Sequence, residues 1–158
     1  MSRIFIGIGS NEGDRLEHIS QAAQALDRLR ETRLVQMATI RETAPVGGPP
    51  QGPFLNTVVE LNSAIAPGPL LRELKTIERW QGRRPSAERW GPRPIDLDLL
   101  LYDDRVLDTP ELTIPHPRLP ERRFVLEPLA ELAPDARHPV LRQTMAELLA
   151  HLAQPAAG

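Results

Sequence analysis

Residues 95–102 read Ile-Asp-Leu-Asp-Leu-Leu-Leu-Tyr, and the alternation of apolar and acidic side chains at the start of this stretch indicates a β-strand. Successive side chains of a strand point to opposite faces of its sheet. We therefore expect the apolar side chains at odd positions from Ile95 to Leu101 to enter the core, whereas Asp96 and Asp98 share the other face. Upstream patterns make this strand the fourth along the chain.

Three further strands are predicted before it. Residues 3–9 (Arg-Ile-Phe-Ile-Gly-Ile-Gly) are apolar and β-branched, which predicts a buried strand at the centre of the sheet. Residues 35–43 and 54–65 also have an extended pattern. The proline- and glycine-rich stretch between them is too polar and too broken to continue either strand, so we expect a loop there.

Two helices alternate with these strands. The first begins at Asp14, which has the spacing of a capping box with Glu17, and it runs to about residue 30. Its predicted apolar stripe consists of Leu16, Ile19, Ala23 and Leu26. The second helix begins near residue 67, where prolines suit a first turn, and ends near residue 82. Its predicted buried face consists of Leu70, Leu74 and Ile77.

The resulting order is strand, helix, strand, strand, helix, strand, which is the βαββαβ pattern of a ferredoxin-like α+β sandwich. We expect an antiparallel sheet with both helices packed on one face. Helical spacing at residues 125–132 and 141–152 predicts a C-terminal helical extension, followed by a frayed end at residues 154–158. The length suits one domain over residues 1–158.

Composition excludes several classes of function. The chain has 19 basic and 21 acidic residues, so it offers no overall attraction for nucleic acid. It contains no cysteine, which excludes disulfides and thiolate metal sites and favours a cytoplasmic location. The short apolar run at the N-terminus matches neither a signal peptide nor a membrane span. We therefore expect neither a nucleic-acid partner nor a membrane.

The two acidic side chains of the fourth strand carry the first chemical signal. Asp96 and Asp98 should project from one face with Cβ atoms about 7 Å apart. Carboxylates so close repel each other, and a cation between them would relieve the repulsion. An isolated pair of this kind is also consistent with a solvated strand face or with salt bridges to arginine.

The preceding segment strengthens the case for a ligand. Residues 82–93 carry four arginines, Arg83, Arg84, Arg89 and Arg93, directly before the two carboxylates. Magnesium binds through carboxylates and substrate phosphates, and arginine takes phosphate oxygens through paired hydrogen bonds. The pattern favours a site for phosphate with magnesium. The alternative is a loop whose arginines are merely solvated.

The motifs resemble those of one enzyme family. Residues 89–102 (Arg-Trp-Gly-Pro-Arg-Pro-Ile-Asp-Leu-Asp-Leu-Leu-Leu-Tyr) look like the signature of the 6-hydroxymethyl-7,8-dihydropterin pyrophosphokinases of folate biosynthesis. Shorter segments at residues 8–11, 54–56, 114–116 and 122–124 agree in order and spacing. The resemblance implies transfer of the β,γ-diphosphate of ATP to the hydroxymethyl oxygen of the dihydropterin, with release of AMP.

The resemblance also assigns roles to residues. Asp96 and Asp98 would hold two magnesium ions against the triphosphate of ATP, acting as ligands rather than as bases. The residues implied in catalysis are Arg83, Arg93, Asp96 and Asp98. Those implied in ATP binding are Arg83, Arg89, Trp90, Arg93, His116 and Arg122. Those implied in pterin binding are Thr43, Val46, Phe54, Asn56 and Phe124, with the two phenyl rings stacked on either side of the pterin.

Two positions depart from the family pattern. Pro85 stands where members often have a second loop arginine, with Arg84 beside it, and Phe54 stands where some have tyrosine.

The alternative functions are a binding module, such as an RNA-binding or sensor domain, and a metal-dependent phosphohydrolase. An RNA-binding version should expose aromatic rings such as Phe5 on its central strands. We expect a monomer whose substrates are ATP and the hydroxymethyl dihydropterin.

Overall fold

The computed structural model describes residues 1–44, 51–82 and 94–153, and its main sheet is built from five strands. These strands are β1 (Ser2–Ser10), β2 (Thr32–Met37), β3 (Arg41–Thr43), β4 (Phe54–Ser63) and β5 (Asp96–Tyr102). A second sheet pairs β6 (Leu107–Asp108) with β7 (Thr113–Ile114). The helices are α1 (Arg15–Asp27), α2 (Pro67–Trp80), a 3₁₀-helix (Leu119–Glu121), α3 (Arg123–Leu132) and α4 (Met145–Ala153).

The main sheet is antiparallel, as predicted. Its strand order is β2-β4-β1-β5, and β3 pairs with the free part of β4. β1 therefore lies in the interior of the sheet, whereas β5 lies at an edge. The predicted α+β class is confirmed, because helices pack on this antiparallel sheet.

The sheet separates two hydrophobic cores. Ile4, Ile6 and Ile8 of β1 point to the face covered by α1 and α2. Phe5 points to the opposite face, where it packs with residues of α3 and α4. Phe5 is buried, so it is not available to stack on a base as an RNA-binding version of this fold would require.

The predicted strand over residues 35–43 is wrong in its continuity. The structure has β2 and β3 instead, separated by residues 38–40. The physical reason is a tertiary contact: the Thr39 N–H donates to the Glu131 carboxylate of α3 at 3.0 Å. Thr39 therefore leaves the strand ladder.

Two residues that were predicted to lie in the core have different positions in the structure. Leu16 is 57% exposed, because the stripe of α1 that faces the sheet consists of Ile19, Ala22 and Leu26. Leu101 is buried, but it belongs to the core under α3 and α4 rather than to the core under α2. The pairing of β1 with β5 shifts register at Leu100, which breaks the period-two pattern there.

None of the described helices is both long and apolar enough to cross a bilayer.

Candidate active site

β1 and β5 together form the floor of the site. Their register places Gly9 opposite Asp96 and Gly7 opposite Asp98. Directly paired residues share a face of the sheet, so each carboxylate stands beside a residue that has no side chain. Both glycines and both acidic residues line one shared space. This arrangement follows from the alternation of isoleucine and glycine in β1.

That space is a cavity of about 90 Å³, here called the first cavity. Its walls include residues 7–9, Thr43, Gln51, Phe54, Asn56, Asp96, Asp98, Arg122 and Phe124. Asn56 is nearly buried, and its Nδ2 donates to the Oγ1 of Thr43. The first cavity therefore combines two aromatic rings with a carboxamide of fixed orientation, which suits a flat, polar-edged ring.

Gly9 makes this carboxamide position possible. A Cβ atom at residue 9 would lie 2.8 Å from the Oδ1 of Asn56 and 3.5 Å from a ring carbon of Phe54. The first of these distances is too short for any real Cβ contact. Glycine at this position therefore allows the Asn56 carboxamide to keep its place in the cavity wall.

A larger cavity of about 440 Å³, here called the second cavity, adjoins the first. It lies between α2, β5 and the segment around β7. Its walls include Leu71, Lys75, Glu78, Asp96, Asp98, Leu112, Thr113, His116, Arg118 and Arg122. Three basic side chains, those of Lys75, Arg118 and Arg122, line it. The second cavity therefore suits an extended ligand that carries several negative charges.

Three residues line both cavities: Asp96, Asp98 and Arg122. Arg122 precedes α3, and its guanidinium carbon lies 5.4 Å from the centre of the Phe124 ring. This contact has the geometry of a cation–π interaction. Two acidic groups and one basic group thus stand where a ligand in one cavity meets a ligand in the other.

His116 lies beside this junction and is held in one orientation. Its Nδ1 accepts the backbone N–H of Arg118 at 3.2 Å, which leaves the ring hydrogen on Nε2. Burial, and then the positive charge of Arg122, lowers the pKa of His116 to about 4, although Asp96 opposes this. The ring is therefore neutral at neutral pH.

The structure places eight of the predicted site residues within the part of the chain that it describes. Asp96, Asp98, Arg122 and His116 lie around the second cavity. Thr43, Phe54, Asn56 and Phe124 lie around the first cavity. The predicted Val46, Arg83, Arg89, Trp90 and Arg93, and the neighbouring Arg84 and Pro85, lie outside the described residues.

The wall residues that sequence reasoning missed include Gln51, Lys75, Glu78 and Arg118. Two of them carry a signal that could have revealed them. Lys75 is the only lysine of the chain. Glu78 continues the apolar stripe of α2, eight residues after Leu70, where a buried position is expected. A carboxylate at such a position indicates a specific partner.

Comparison with known proteins identifies the family. Residues 5–134 match the family model of 7,8-dihydro-6-hydroxymethylpterin-pyrophosphokinase (HPPK). The chain belongs to the HPPK family. The resemblance of residues 89–102 and of the shorter motifs to this family is thereby confirmed.

Curated HPPK relatives are similar over nearly the whole chain. The chain is 44% identical over 150 residues to a 2-amino-4-hydroxy-6-hydroxymethyldihydropteridine pyrophosphokinase of Pseudomonas aeruginosa, covering 95% of this chain and 91% of the relative. A Bacillus subtilis protein of the same name is 42% identical over 128 residues, which are 81% of this chain and 76% of that protein. The folic acid synthesis protein fol1 of Schizosaccharomyces pombe is 40% identical over 145 residues, which are 92% of this chain and 20% of fol1.

Solved structures share the HPPK fold. A crystal structure of HPPK-DHPS in complex with substrates superposes with a TM-score of 0.73 at 13% identity, covering 95% of this chain and 43% of that chain. The wild-type Plasmodium falciparum HPPK-DHPS with pteroate gives a TM-score of 0.74 at 16% identity, covering 95% of this chain and 42% of that chain. The present chain thus spans less than half of those longer proteins.

Proposed function

We propose that this HPPK-family chain transfers the β,γ-diphosphate group of ATP to the hydroxymethyl oxygen of 6-hydroxymethyl-7,8-dihydropterin and releases AMP, as a step of folate biosynthesis. One observation carries the proposal: Asp96, Asp98 and Arg122 line both cavities. A group transfer needs its donor and acceptor to meet, and these three residues stand where the two ligands would meet.

The chemistry of each cavity supports one substrate. The first cavity offers Phe54 and Phe124 for stacking and the Asn56 carboxamide for the polar edge of a pterin. The second cavity offers basic side chains for a triphosphate and the apolar side chains of Leu71 and Leu112 for a base. ATP therefore fits the second cavity and the dihydropterin the first.

Magnesium is the cofactor that fits the two carboxylates. Asp98 keeps 34% of its side chain exposed, and Asp96 is also partly exposed, so water and phosphate can reach both groups. Within residues 1–44, 51–82 and 94–153, no three acidic or histidine side chains form a complete metal site. Two carboxylates completed by phosphate oxygens and water match the preference of Mg²⁺. We propose two ions, which when bound supply charge neutralisation for the triphosphate.

The residues of the chain act mainly by position and charge. Asp96 and Asp98 would bind the cations, and Arg122 would bind phosphate oxygens beside them. His116, neutral and with its hydrogen on Nε2, would donate a hydrogen bond to a phosphate oxygen. Because phosphoryl transfer depends mainly on alignment and on stabilised charge, no dedicated general base is required.

Further roles rest on the family motif. Arg83 and Arg93 are proposed to contact phosphate oxygens, Arg89 and Trp90 to belong to a segment over the nucleotide, and Val46 to line the pterin pocket. Arg89, Trp90 and Arg93 are supported by their position in the signature at residues 89–102, and Arg83 and Val46 by the family positions that they match.

The finer description of the molecule is also a proposal. A ferredoxin-like arrangement over a single domain, residues 1–158, is supported by the strand order β2-β4-β1-β5 with α1 and α2 on one face. α3 and α4 would then form the C-terminal helical extension. A monomeric state and a cytoplasmic location stay predictions from the sequence.

The function is tested by following AMP release. Purified protein is incubated with ATP and Mg²⁺, with and without 6-hydroxymethyl-7,8-dihydropterin. We expect AMP only when the pterin is present, no orthophosphate, and no reaction when the divalent cation is removed by chelation. Orthophosphate release without the pterin would instead support a metal-dependent phosphohydrolase.

A further inference from the structure

The backbone between the two acidic residues has a partner outside the sheet. The N–H of Leu97 donates to the Oε2 of Glu78 at 2.8 Å. β5 is an edge strand, and Leu97 is paired with Ile8 of β1 on its other side. The Leu97 N–H therefore points away from β1, where an edge strand ordinarily meets only water. Glu78 occupies the place that a neighbouring strand would take.

Glu78 is an unusual residue for its position on α2. Only 5% of it is exposed, and it lies on the same helix face as Leu74 and Ile77. Burial of a carboxylate is costly unless its oxygens accept hydrogen bonds, and an apolar side chain of similar size would avoid that cost. The bond to the Leu97 N–H is one contact that a methionine or leucine here would lose.

The bond acts on the peptide that joins Asp96 to Leu97. The Leu97 side chain is anchored in the core under α2, where it is 5% exposed. With its amide held by Glu78, this residue is fixed at both its side chain and its backbone. Asp96 and Asp98 flank it directly, so their carboxylates start from a backbone of fixed position. Glu78 itself lines the second cavity beside them.

We propose that Glu78 is a positioning residue for the transfer reaction: its carboxylate fixes the Leu97 peptide so that Asp96 and Asp98 keep their spacing and direction toward the two cavities. The inference rests on the proposed function, because it takes these two residues as cation ligands. Groups that hold metal ligands in place affect metal affinity and activity by about 10- to 100-fold in other proteins. Glu78 acts through the backbone and not as a ligand.

The test compares two substitutions of Glu78 with a matched control. Glu78→Met keeps the length of the side chain but removes the acceptor, whereas Glu78→Gln keeps an acceptor oxygen. The control is Tyr102→Phe, which removes a buried hydrogen bond of the same strand, from the Tyr102 hydroxyl to the carbonyl of Ile65 at 2.6 Å. For each protein we measure kcat, the Mg²⁺ concentration that gives half the maximal rate, the melting temperature and the hydrogen exchange of the Leu97 amide.

We expect Glu78→Met to lower kcat and to raise the Mg²⁺ requirement, each about 10-fold, while Leu97 exchanges faster. Glu78→Gln should stay within about 3-fold of wild type in both, since it can still accept the bond. Tyr102→Phe should lower only the melting temperature. Unchanged kinetics in Glu78→Met, equal damage in Glu78→Gln, or the same kinetic loss in Tyr102→Phe would overturn the proposal.

Two further measurements separate the possible failures. If Glu78→Met does not fold, hydrogen exchange of the Leu97 amide in the wild-type protein tests the proposal. Exchange as fast as that of a free amide would contradict the bond to Glu78. If Asp96→Asn and Asp98→Asn keep wild-type turnover, the proposed function itself fails. If those two variants are inactive while Glu78→Met is normal, only the role of Glu78 is wrong.

Discussion

The Oδ1 of Asp98 lies 4.0 Å from the Nε2 of His116, and this pair is not an ion pair at neutral pH. The Nδ1 of His116 is occupied by the Arg118 N–H, and the pKa of the ring is lowered to about 4. The imidazole therefore presents a neutral N–H toward Asp98. It does not cancel the negative charge of that carboxylate, so this charge can still attract a cation.

Removal of either carboxylate charge should nearly abolish turnover. We expect Asp96→Asn and Asp98→Asn each to slow pterin-dependent AMP release at least about 100-fold, because a cation ligand is lost where transition-state charge develops. Circular dichroism should show an unchanged fold. Asp104→Asn, an exposed carboxylate just after β5, is the control and should keep full activity. Activity within a few-fold of wild type in either site variant would defeat the assignment.

The pKa of His116 should depend on Arg122. Burial is the largest cause of its lowered pKa, and the positive charge of Arg122 is the next. We expect Arg122→Gln to raise the pKa of His116 from about 4 to a value still below its ordinary 6.5, as followed by NMR titration of the ring. Arg123→Gln, whose guanidinium binds Glu127, is the matched control and should change nothing. A His116 that titrates alike in wild type and Arg122→Gln would contradict this electrostatic account.

A methyl group at Gly9 should damage pterin binding selectively. The new Cβ would lie 2.8 Å from the Oδ1 of Asn56, which must move out of its place in the first cavity. Overpacking of this kind costs about 1–3 kcal/mol, and 1.4 kcal/mol is tenfold in affinity. We expect Gly9→Ala to weaken pterin binding about 10-fold in calorimetry, with ATP affinity unchanged. Gly68→Ala, where the added atom meets open space, serves as the control. Equal weakening of both ligands would point to general misfolding.

His138 should make the fold sensitive to acid. Its Nδ1 accepts the N–H groups of Val140 and Leu141, and burial lowers its pKa. The unfolded chain then binds a proton more readily than the folded one, so this contribution is complete above about pH 6.5 and is lost as the pH falls. We expect His138→Asn, which keeps an acceptor but cannot titrate, to show a smaller loss of unfolding free energy between pH 6.5 and 5.

Urea unfolding at a series of pH values measures how the unfolding free energy changes with pH. His151→Asn provides the comparison, since His151 is exposed on α4. The His151 variant should follow the wild-type curve. A His138→Asn curve parallel to that of wild type would mean that the ring does not contribute through protonation.

Local patterns predicted much of the fold and of the site. Period two in residues 95–102 placed Asp96 and Asp98 on one face, and the structure keeps them there, because the register shift of β5 begins only at Leu100. The stripe of Leu70, Leu74 and Ile77 correctly predicted the buried face of α2. Such features depend on neighbours within one element, which a sequence displays directly.

Features that depend on distant partners were not predicted. The break between β2 and β3 depends on Glu131, which lies 92 residues after Thr39. The position of Glu78 beside Leu97 depends on how α2 crosses the edge of the sheet. The need for glycine at position 9 depends on Asn56, which lies opposite it on β4. No periodicity within a single segment contains this information.

The glycines of β1 also bear on inhibitor resistance. Part of the floor of the first cavity is main chain, because Gly7 and Gly9 have no side chains to cover it. A drug that contacts this floor would touch main-chain atoms that no point mutation can remove. The added methyl group of Gly9→Ala would also weaken binding of the enzyme's own substrate. Resistance to such a drug would therefore have to arise at the side chains of the walls, because the two glycines offer none to change.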